Sequence, residues 1–523
     1  MPSVLTAPRK KNATIRRVFS IFVLVLVLAA CSPFQVRSPH QDSLPASSEG
    51  PIAASVLALQ LEPQQSSYRL TYSNDEALAL RLHSATLATR SLDLQYYMWL
   101  NDDSGRLLAS ELLRAADRGV RVRVLIDDAN TRKLDQELGA LDAHPNLEVR
   151  IYNPYRTRGS VIGNIFEFVF SGMRPNHRMH NKAWIVDGQI AIVGGRNIGD
   201  EYFGLHEGFN FRDLGVVLSG RAVQDASGAF DEYWNSNIVI ALAAIPKKPG
   251  GPTLDFAQQA LERDRELLLA TPELTKILAN RTKTTEINRV EAGFIGTAVR
   301  VLSDPPDKWQ RVHADGLLGV AADLSRAIDG AQHEVILVSP YFIPGAKGLR
   351  WLGQLKARGV RVRVLTNSLN ATDVAAVHGG YARYRHRLLR AGIEIHELKN
   401  SARVRFESSF RGSSRASLHT KAVVVDGHLA FIGSFNLDPR STWLNTEMGA
   451  LIDDRKFAAQ VRDNFERSLA PEFSYALSLE GFRLVWTDTH NGQLRLQYRE
   501  PTSSWSRRIV AFLARVLPVE KHL

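Results

Sequence analysis

Short runs of β-formers and stretches with helical apolar spacing alternate along this chain in one order, and that order is written twice. Leu92 to Tyr97 and Val335 to Val338 read as strands, and Leu107 to Asp117 and Leu349 to Ala357 as the amphipathic helices that follow them. Each helix leads into the same eight residues, Arg-Gly-Val-Arg-Val-Arg-Val-Leu, at Arg118 to Leu125 and, 240 positions later, at Arg358 to Leu365. Strand, helix, strand is the crossover unit of a parallel or mixed sheet covered by helices. Two copies predict an α/β fold of two homologous halves, each a mixed sheet flanked by helices, packed with pseudo-twofold symmetry around one active site.

Each half continues into a predicted hairpin. Ala183-Trp184-Ile185-Val186 and Ala422-Val423-Val424-Val425 are β-forming and end in Asp187-Gly188 and Asp426-Gly427, a strong signal for a tight hairpin turn. Immediately before these strands stand His180-Asn181-Lys182 and His419-Thr420-Lys421, 239 residues apart. Alternate residues of an extended strand share a face, so each pair presents an imidazole and an ammonium side by side. The return strands lead to Gly194-Gly195-Arg196-Asn197 and Gly433-Ser434-Phe435-Asn436, and folding back about the turn brings each Asn beside its own His and Lys. Cationic and amide donors converging on an imidazole make a phosphate pocket with a nucleophile or acid beside it. Asp187 and Asp426 precede Gly, as tight turns prefer, and suit a turn or buried-pair role better than proton transfer. His177 has no counterpart in the second half and reads as a loop histidine.

The paired His-x-Lys-x4-Asp motifs with their Gly-x-x-Asn resemble those of the phospholipase D superfamily. Asn197 to Phe203 and Ser434 to Glu447 are similar to bacterial cardiolipin synthases, most of all the C-type, and the likeness runs from about Leu70 to the C-terminus. The resemblance implies that one motif histidine attacks phosphorus and forms a phosphohistidine while the other protonates the leaving alcohol and deprotonates the incoming one. It favours His180 as nucleophile and His419 as acid/base. It also implies that Lys182, Lys421, Asn197 and Asn436 hold the phosphoryl oxygens, and that Glu447 orients the partner imidazole, with Asp213 at the aligned position of the first half. Asp187 and Asp426 complete the motif set. No cofactor and no metal is implied. Gly195 departs from the Gly-Ser pattern, which leaves Ser434 as the one serine hydroxyl of this kind.

The chain's 523 residues, 44% of them hydrophobic, suffice for two cores of ordinary domain size. Arg9, Lys10, Lys11, Arg16 and Arg17 precede an apolar run from Val18 to Ala30, too short for a typical membrane span and suited to a signal peptide. The run ends Leu28-Ala29-Ala30-Cys31, similar to a bacterial lipoprotein processing box. Cys31 is the single cysteine, so an intrachain disulfide or a cysteine metal site is excluded and lipidation is the expected role. Residues 1–31 are thus expected to be a lipoprotein-type leader and 32–67 a flexible Ser/Pro/Gln tether. The first half is expected at 68–245, a linker and helical connection at 246–290 (Pro246 to Pro252, then Asp255 to Ala270), and the second half at 291–523.

The formal charge of +11 falls to +6 without the five cations before Cys31. An anionic lipid surface explains that charge as readily as nucleic acid does, and the expected partners are a membrane surface and phospholipid substrates. Phosphatidylglycerol is the expected acceptor, with phosphatidylglycerol or phosphatidylethanolamine as donor; no nucleic acid is expected. The expected location is the bacterial cell envelope, with the anchored chain facing the periplasm. Ser506 to Leu517, after Trp505, mixes basic and apolar residues at helical spacing, as an interfacial helix or a helix docked on the core would. Val161 to Phe170 is an apolar insert suited to an acyl-chain wall or to core packing. Val377 to Arg387 suits either a headgroup contact or a solvated helix face. Two alternatives to a phosphatidyltransferase remain open: a hydrolase of the same class acting on lipid or nucleic acid, and a lipoprotein that binds lipid without catalysis.

Overall fold

The computed structural model describes residues 38–131, 134–155, 174–245, 250–279, 293–400, 416–490 and 493–517. Cys31 and the leader and the apolar insert at Val161 to Phe170 lie outside these residues. In the first half, nine strands form one sheet in the order Phe294–Gly296, Ser66–Thr71, Gly215–Gly220, Ile190–Gly194, Ala183–Val186, Ser91–Tyr96, Arg121–Asp127, Leu147–Tyr152 and Val239–Ala241. Among the described residues, ten strands of the second half form the other large sheet, with Leu429–Gly433, Ala422–Val425, Glu334–Val338 and Arg361–Asn367 adjacent at its centre. Ser91–Tyr96 pairs in parallel with Arg121–Asp127, and Glu334–Val338 with Arg361–Asn367. The helices that make these crossovers are Asp103–Asp117 and Gly345–Ala357. A parallel strand covered on both faces needs apolar or paired side chains throughout, and Ser91–Tyr96 is buried along its whole length.

Strand alternation assigns the core to layers. Trp184 and Val186 enter the cluster under the outer helices of the first half, and Val423 and Val425 enter the corresponding cluster of the second. Their neighbours Ala183, Ile185, Ala422 and Val424 point inward to a third cluster that both halves share, with Phe230 and Trp234 from one half and Phe457 and Phe465 from the other. That shared apolar layer welds the halves together. No helix among the described residues is long and apolar enough to cross a membrane.

Three expectations need correction. The tether expected at 32–67 is packed from residue 38 onward. Ser43 donates to Asp231, Arg123 donates to the Gln41 carbonyl and Ser43 Oγ, and helix Pro51–Leu57 buries Ile52 in the first core. Its Ser/Gln composition serves hydrogen bonding rather than flexibility. The expected boundary at 290 is also crossed, because Phe294–Gly296 adds an edge strand to the first sheet by pairing with Ser66–Tyr68. Within Val377 to Arg387, Tyr381, Tyr384 and Arg385 are buried, and Tyr381 and Arg385 both donate to Glu397, so these three face neither a headgroup nor solvent, and only the Arg387 end of the segment is exposed.

The turn aspartates are placed as structural groups. Asp187 and Gly188 both have positive φ (54° and 64°), as do Asp426 and Gly427 (49° and 66°), the requirement of a type I′ hairpin turn. The Asp187 carboxylate accepts the N–H groups of Thr89, Arg90 and Ser91 at 3.0, 2.8 and 2.9 Å, and Asp426 does the same for Gln332, His333 and Glu334. Asp187→Ala leaves three donors without their acceptor and puts Ala in a left-handed turn, which is expected to cost about 3 kcal/mol. Chemical denaturation reads that loss, and turnover per folded molecule should stay unchanged.

Candidate active site

Each histidine is held by the opposite half. The N–H of His180 donates to the Thr446 carbonyl at 2.8 Å, and that of His419 to the Arg212 carbonyl at 2.8 Å. The residue after each carbonyl supplies the carboxylate: His180 Nδ1 lies 2.9 Å from Glu447 and His419 Nδ1 lies 2.6 Å from Asp213. A short parallel pairing of Asn210–Arg212 with Ala416–Leu418 fixes the second crossing, and a bridge between Met179 and Thr446 fixes the first. With Nδ1 engaged, Nε2 is the nitrogen left for chemistry on both rings. Tyr97 stands edge-on to His180 at 5.2 Å, and Tyr202 edge-on to His419 at 5.1 Å, which limits rotation of the rings.

Lys182 and Lys421 are buried, and each Nζ donates to the carbonyl of its own motif histidine. Burial lowers the Lys182 ammonium well below its ordinary range and brings Lys421 down to about 8, against the pull of Asp213 and Glu447. Burial and the two ammoniums together hold His180 well below its usual value, and His419 is pushed down to about 4 mainly by burial and Lys421. Lys421 thus acts on His180 and Lys182 on His419, so the four groups share one field. Buried ammoniums near two neutral imidazoles, inside a shell of carboxylates, leave a place for an anion.

The carboxylates differ. Glu447 is raised to about 7, because burial outweighs Lys182 and the hydroxyls of Ser434 and Ser441. Burial would raise Asp213 too, but His419, Lys421 and Arg196 bring it below the usual range. Gly195 explains the shorter side chain's fit: a Cβ there would stand 2.5 Å from both Asp213 oxygens, whereas at the matching position Ser434 donates to Glu447.

Of the residues singled out from the sequence, the structure gathers His180, Lys182, His419, Lys421 and Glu447 in this cluster, and it turns Asp187 and Asp426 away toward the backbone at the far end of each hairpin strand. Asn197 donates to Tyr202 Oη at 2.9 Å, and the Asn436 N–H donates to Ser441 Oγ at 3.2 Å. Since Tyr202 packs on His419 and Ser441 donates to Glu447 at 2.7 Å, each asparagine is tied to the other half's histidine as well as to its own hairpin. His177 is a loop residue stacked on Trp309 at 4.8 Å.

Sequence reasoning missed the second layer. Asp127 accepts the Met179 N–H, while Asn367, its equivalent in the repeat, accepts the Leu418 N–H, so each clamps the residue before a histidine. The repeat Arg-Val-Arg-Val-Leu ends two residues before both and could have revealed them. Asp304 and Lys308 form a wholly buried ion pair at 2.7 Å; Asp304 accepts the Glu447 N–H, and Lys308 donates to the Ser441 and Asn445 carbonyls. Among the described residues no group of three or more His, Cys, Asp and Glu side chains is arranged to hold a metal ion.

The family model for the cardiolipin synthase, phospholipase D-like domain matches the chain twice, at residues 81–234 and 324–469. The chain is 39% identical over 454 residues to cardiolipin synthase C of Escherichia coli, covering 85% of this chain and 93% of that protein. It is 26% identical over 408 residues to a cardiolipin synthase of Staphylococcus aureus, covering 77% of this chain and 67% of that one. A crystal structure of the phosphatidylserine synthase of Haemophilus influenzae superposes with a TM-score of 0.52 at 16% identity, over 78% of this chain and 87% of that one, a likeness of fold.

Proposed function

Because the chain belongs to the cardiolipin synthase family of phospholipase D-like enzymes and is therefore a phosphatidyltransferase, we propose that it makes cardiolipin through a phosphohistidine. The observation that carries this reading is the reciprocal crossing, in which each half supplies a histidine and the carboxylate that orients the other half's ring. Two positioned imidazoles on one buried cationic pocket suit a two-step displacement.

In the first step His419 enters as the imidazolium, having taken one proton from solvent as the phosphodiester anion fills the pocket; His180 Nε2 attacks phosphorus, the bond from phosphorus to the headgroup oxygen breaks, and His419 gives that oxygen its proton. Headgroup alcohol leaves, glycerol from phosphatidylglycerol or ethanolamine from phosphatidylethanolamine. In the second step a hydroxyl of phosphatidylglycerol attacks the same phosphorus, its proton returns to His419, and the P–N bond breaks to free His180. The unlike carboxylates support this division of labour. Ionised Asp213 stabilises an imidazolium on His419, as a proton carrier needs, while burial and the two ammoniums keep His180 neutral and Glu447 accepts its Nδ1–H, which leaves the Nε2 lone pair for attack. Lys182 and Lys421 would hold the phosphoryl oxygens, with Asn197 and Asn436 as amide donors. Lipidation at Cys31 in the cell envelope belongs to the same proposal, since it keeps the transferase on the membrane that contains its substrate.

Purified protein given phosphatidylglycerol should yield cardiolipin and glycerol in equal amounts. Phosphatidic acid as main product, with water as acceptor, would replace the transferase reading with the hydrolase one. A pH profile checks the cationic pocket. Lys421, lowered to about 8, is charged below that pH and neutral above it, so kcat/KM, which reports the free enzyme, should decline above about pH 8. A profile that stays flat into the range of ordinary lysines would contradict a role for this ammonium.

A further inference from the structure

The C-terminal helix Trp505–Val516 is turned inside out. An ordinary surface helix buries its large apolar side chains; this one docks through Ala511 and Ala514 on helix Ala375–Ala382. The approach is close, since a Cβ on Gly379 would stand 2.2 Å from the Ala511 carbonyl. The large side chains face outward: Trp505 is 80% exposed, Phe512 and Val516 are each 63% exposed, and Ile509 and Leu513 complete the stripe at helical spacing. Phe482, 83% exposed, extends the patch. His386 lies between the Phe482 backbone and Arg515, and the Arg390 guanidinium sits 5.2 Å over the Phe482 ring.

Charge and position narrow what this face meets. Residues 375–390 and 501–517 contain seven arginines and no Asp or Glu. Arg507 fastens the helix by donating to the Leu369 and Thr372 carbonyls. The next residue, Asp373, is exposed, accepts Tyr341 Oη at 2.6 Å and lies within electrostatic reach of the buried Lys421. The helix is thus fastened next to Asp373, an exposed carboxylate within electrostatic reach of the site. An isologous contact with a second copy would set arginine against arginine.

We propose that Trp505, Phe512, Val516 and Phe482, rimmed by Arg387, Arg390, Arg508 and Arg515, dock on an anionic phospholipid bilayer and turn the Asp373 side of the molecule toward the headgroups. This rests on the phospholipid reading of the site and adds the surface through which lipid is reached.

The test places the full chain on phosphatidylglycerol vesicles carrying brominated acyl chains and follows the emission that Trp505→Phe removes, a local reporter that an N-terminal anchor does not supply. That emission should be quenched, and more weakly on phosphatidylcholine vesicles. The double variant Phe512→Ser/Val516→Ser should lose the quenching, with vesicle affinity at residue 505 reduced about tenfold or more. Its transfer activity on dispersed short-chain phosphatidylglycerol should be that of the parent, which shows an intact fold and site. The proposal is overturned if Trp505 is not quenched while the protein is on vesicles. It is equally overturned if the double variant merely dissociates a dimer of the parent. Failure of short-chain transfer in the parent would instead count against the enzymatic reading, leaving the quenching result to be read separately.

Discussion

Alanine at His180 or at His419 is expected to reduce cardiolipin formation by roughly four orders of magnitude or more. Each removes a different half of one displacement, and neither neighbour can substitute, because the Lys182 and Lys421 amino groups are fixed on the motif histidine carbonyls. The double variant should be little worse than either single one, since groups that act as a unit do not contribute additively. The two singles should still differ. With a phosphatidyl ester of p-nitrophenol, whose leaving group needs no proton, His419→Ala should release p-nitrophenol once and retain a phosphatidyl adduct on His180, detectable by mass spectrometry. His180→Ala should show neither burst nor adduct. An adduct on His419 in that variant would reverse the assignment of roles.

The largest effect on stability is expected away from the motifs, at Lys308→Met. Lys308 and Asp304 are fully buried, and Asp304 also accepts the N–H groups of Val320 and Glu447. Removing the ammonium strands a carboxylate that burial already drives toward its protonated form and that Lys308 pulls back toward the ionised one. It also leaves the Ser441 and Asn445 carbonyls without their donor. Breaking such a pair from one side costs about 3–5 kcal/mol, to be read from urea denaturation. Asp304→Asn combined with Lys308→Met should recover part of the loss, because no unpaired charge remains. Activity should suffer as well, since Glu447 is positioned from this pair through its N–H and through Ser441. A fall in kcat larger than the change in KM would mark a positioning role.

The repeated half was legible because local patterns carried it. The strand-helix-strand units, the Asp-Gly hairpins and the connecting helix at Leu254–Leu269 all follow from periodicity and turn chemistry. The role of Glu447 beside an imidazole came from the family resemblance and that of Asp213 from aligning the halves, and the geometry places each pairing across the two halves. What could not be read depends on contacts between distant segments. Gln41 and Ser43 look like tether residues until Arg123 and Asp231 stand beside them, and Phe294–Gly296 looks like the start of the second half until it pairs with the first sheet. Asp304 and Lys308 sit between the two matched domains with no repeat partner to flag them. Tyr202 and Ser441 occupy the same offset from Asn197 and Asn436, yet one packs on a histidine and the other donates to a carboxylate. Near symmetry thus exposes the framework and hides the asymmetry on which the chemistry depends.

The central claim is that two half-sites make one enzyme that transfers phosphatidyl groups to phosphatidylglycerol. The most direct measurement is a comparison of lipid extracts from bacteria lacking their own cardiolipin synthases, expressing either this chain or its His180→Ala variant at equal levels. Cardiolipin present with the intact chain and absent with the variant is the predicted result. Equal cardiolipin in both strains, or phosphatidic acid rising in its place with the intact chain, would contradict it.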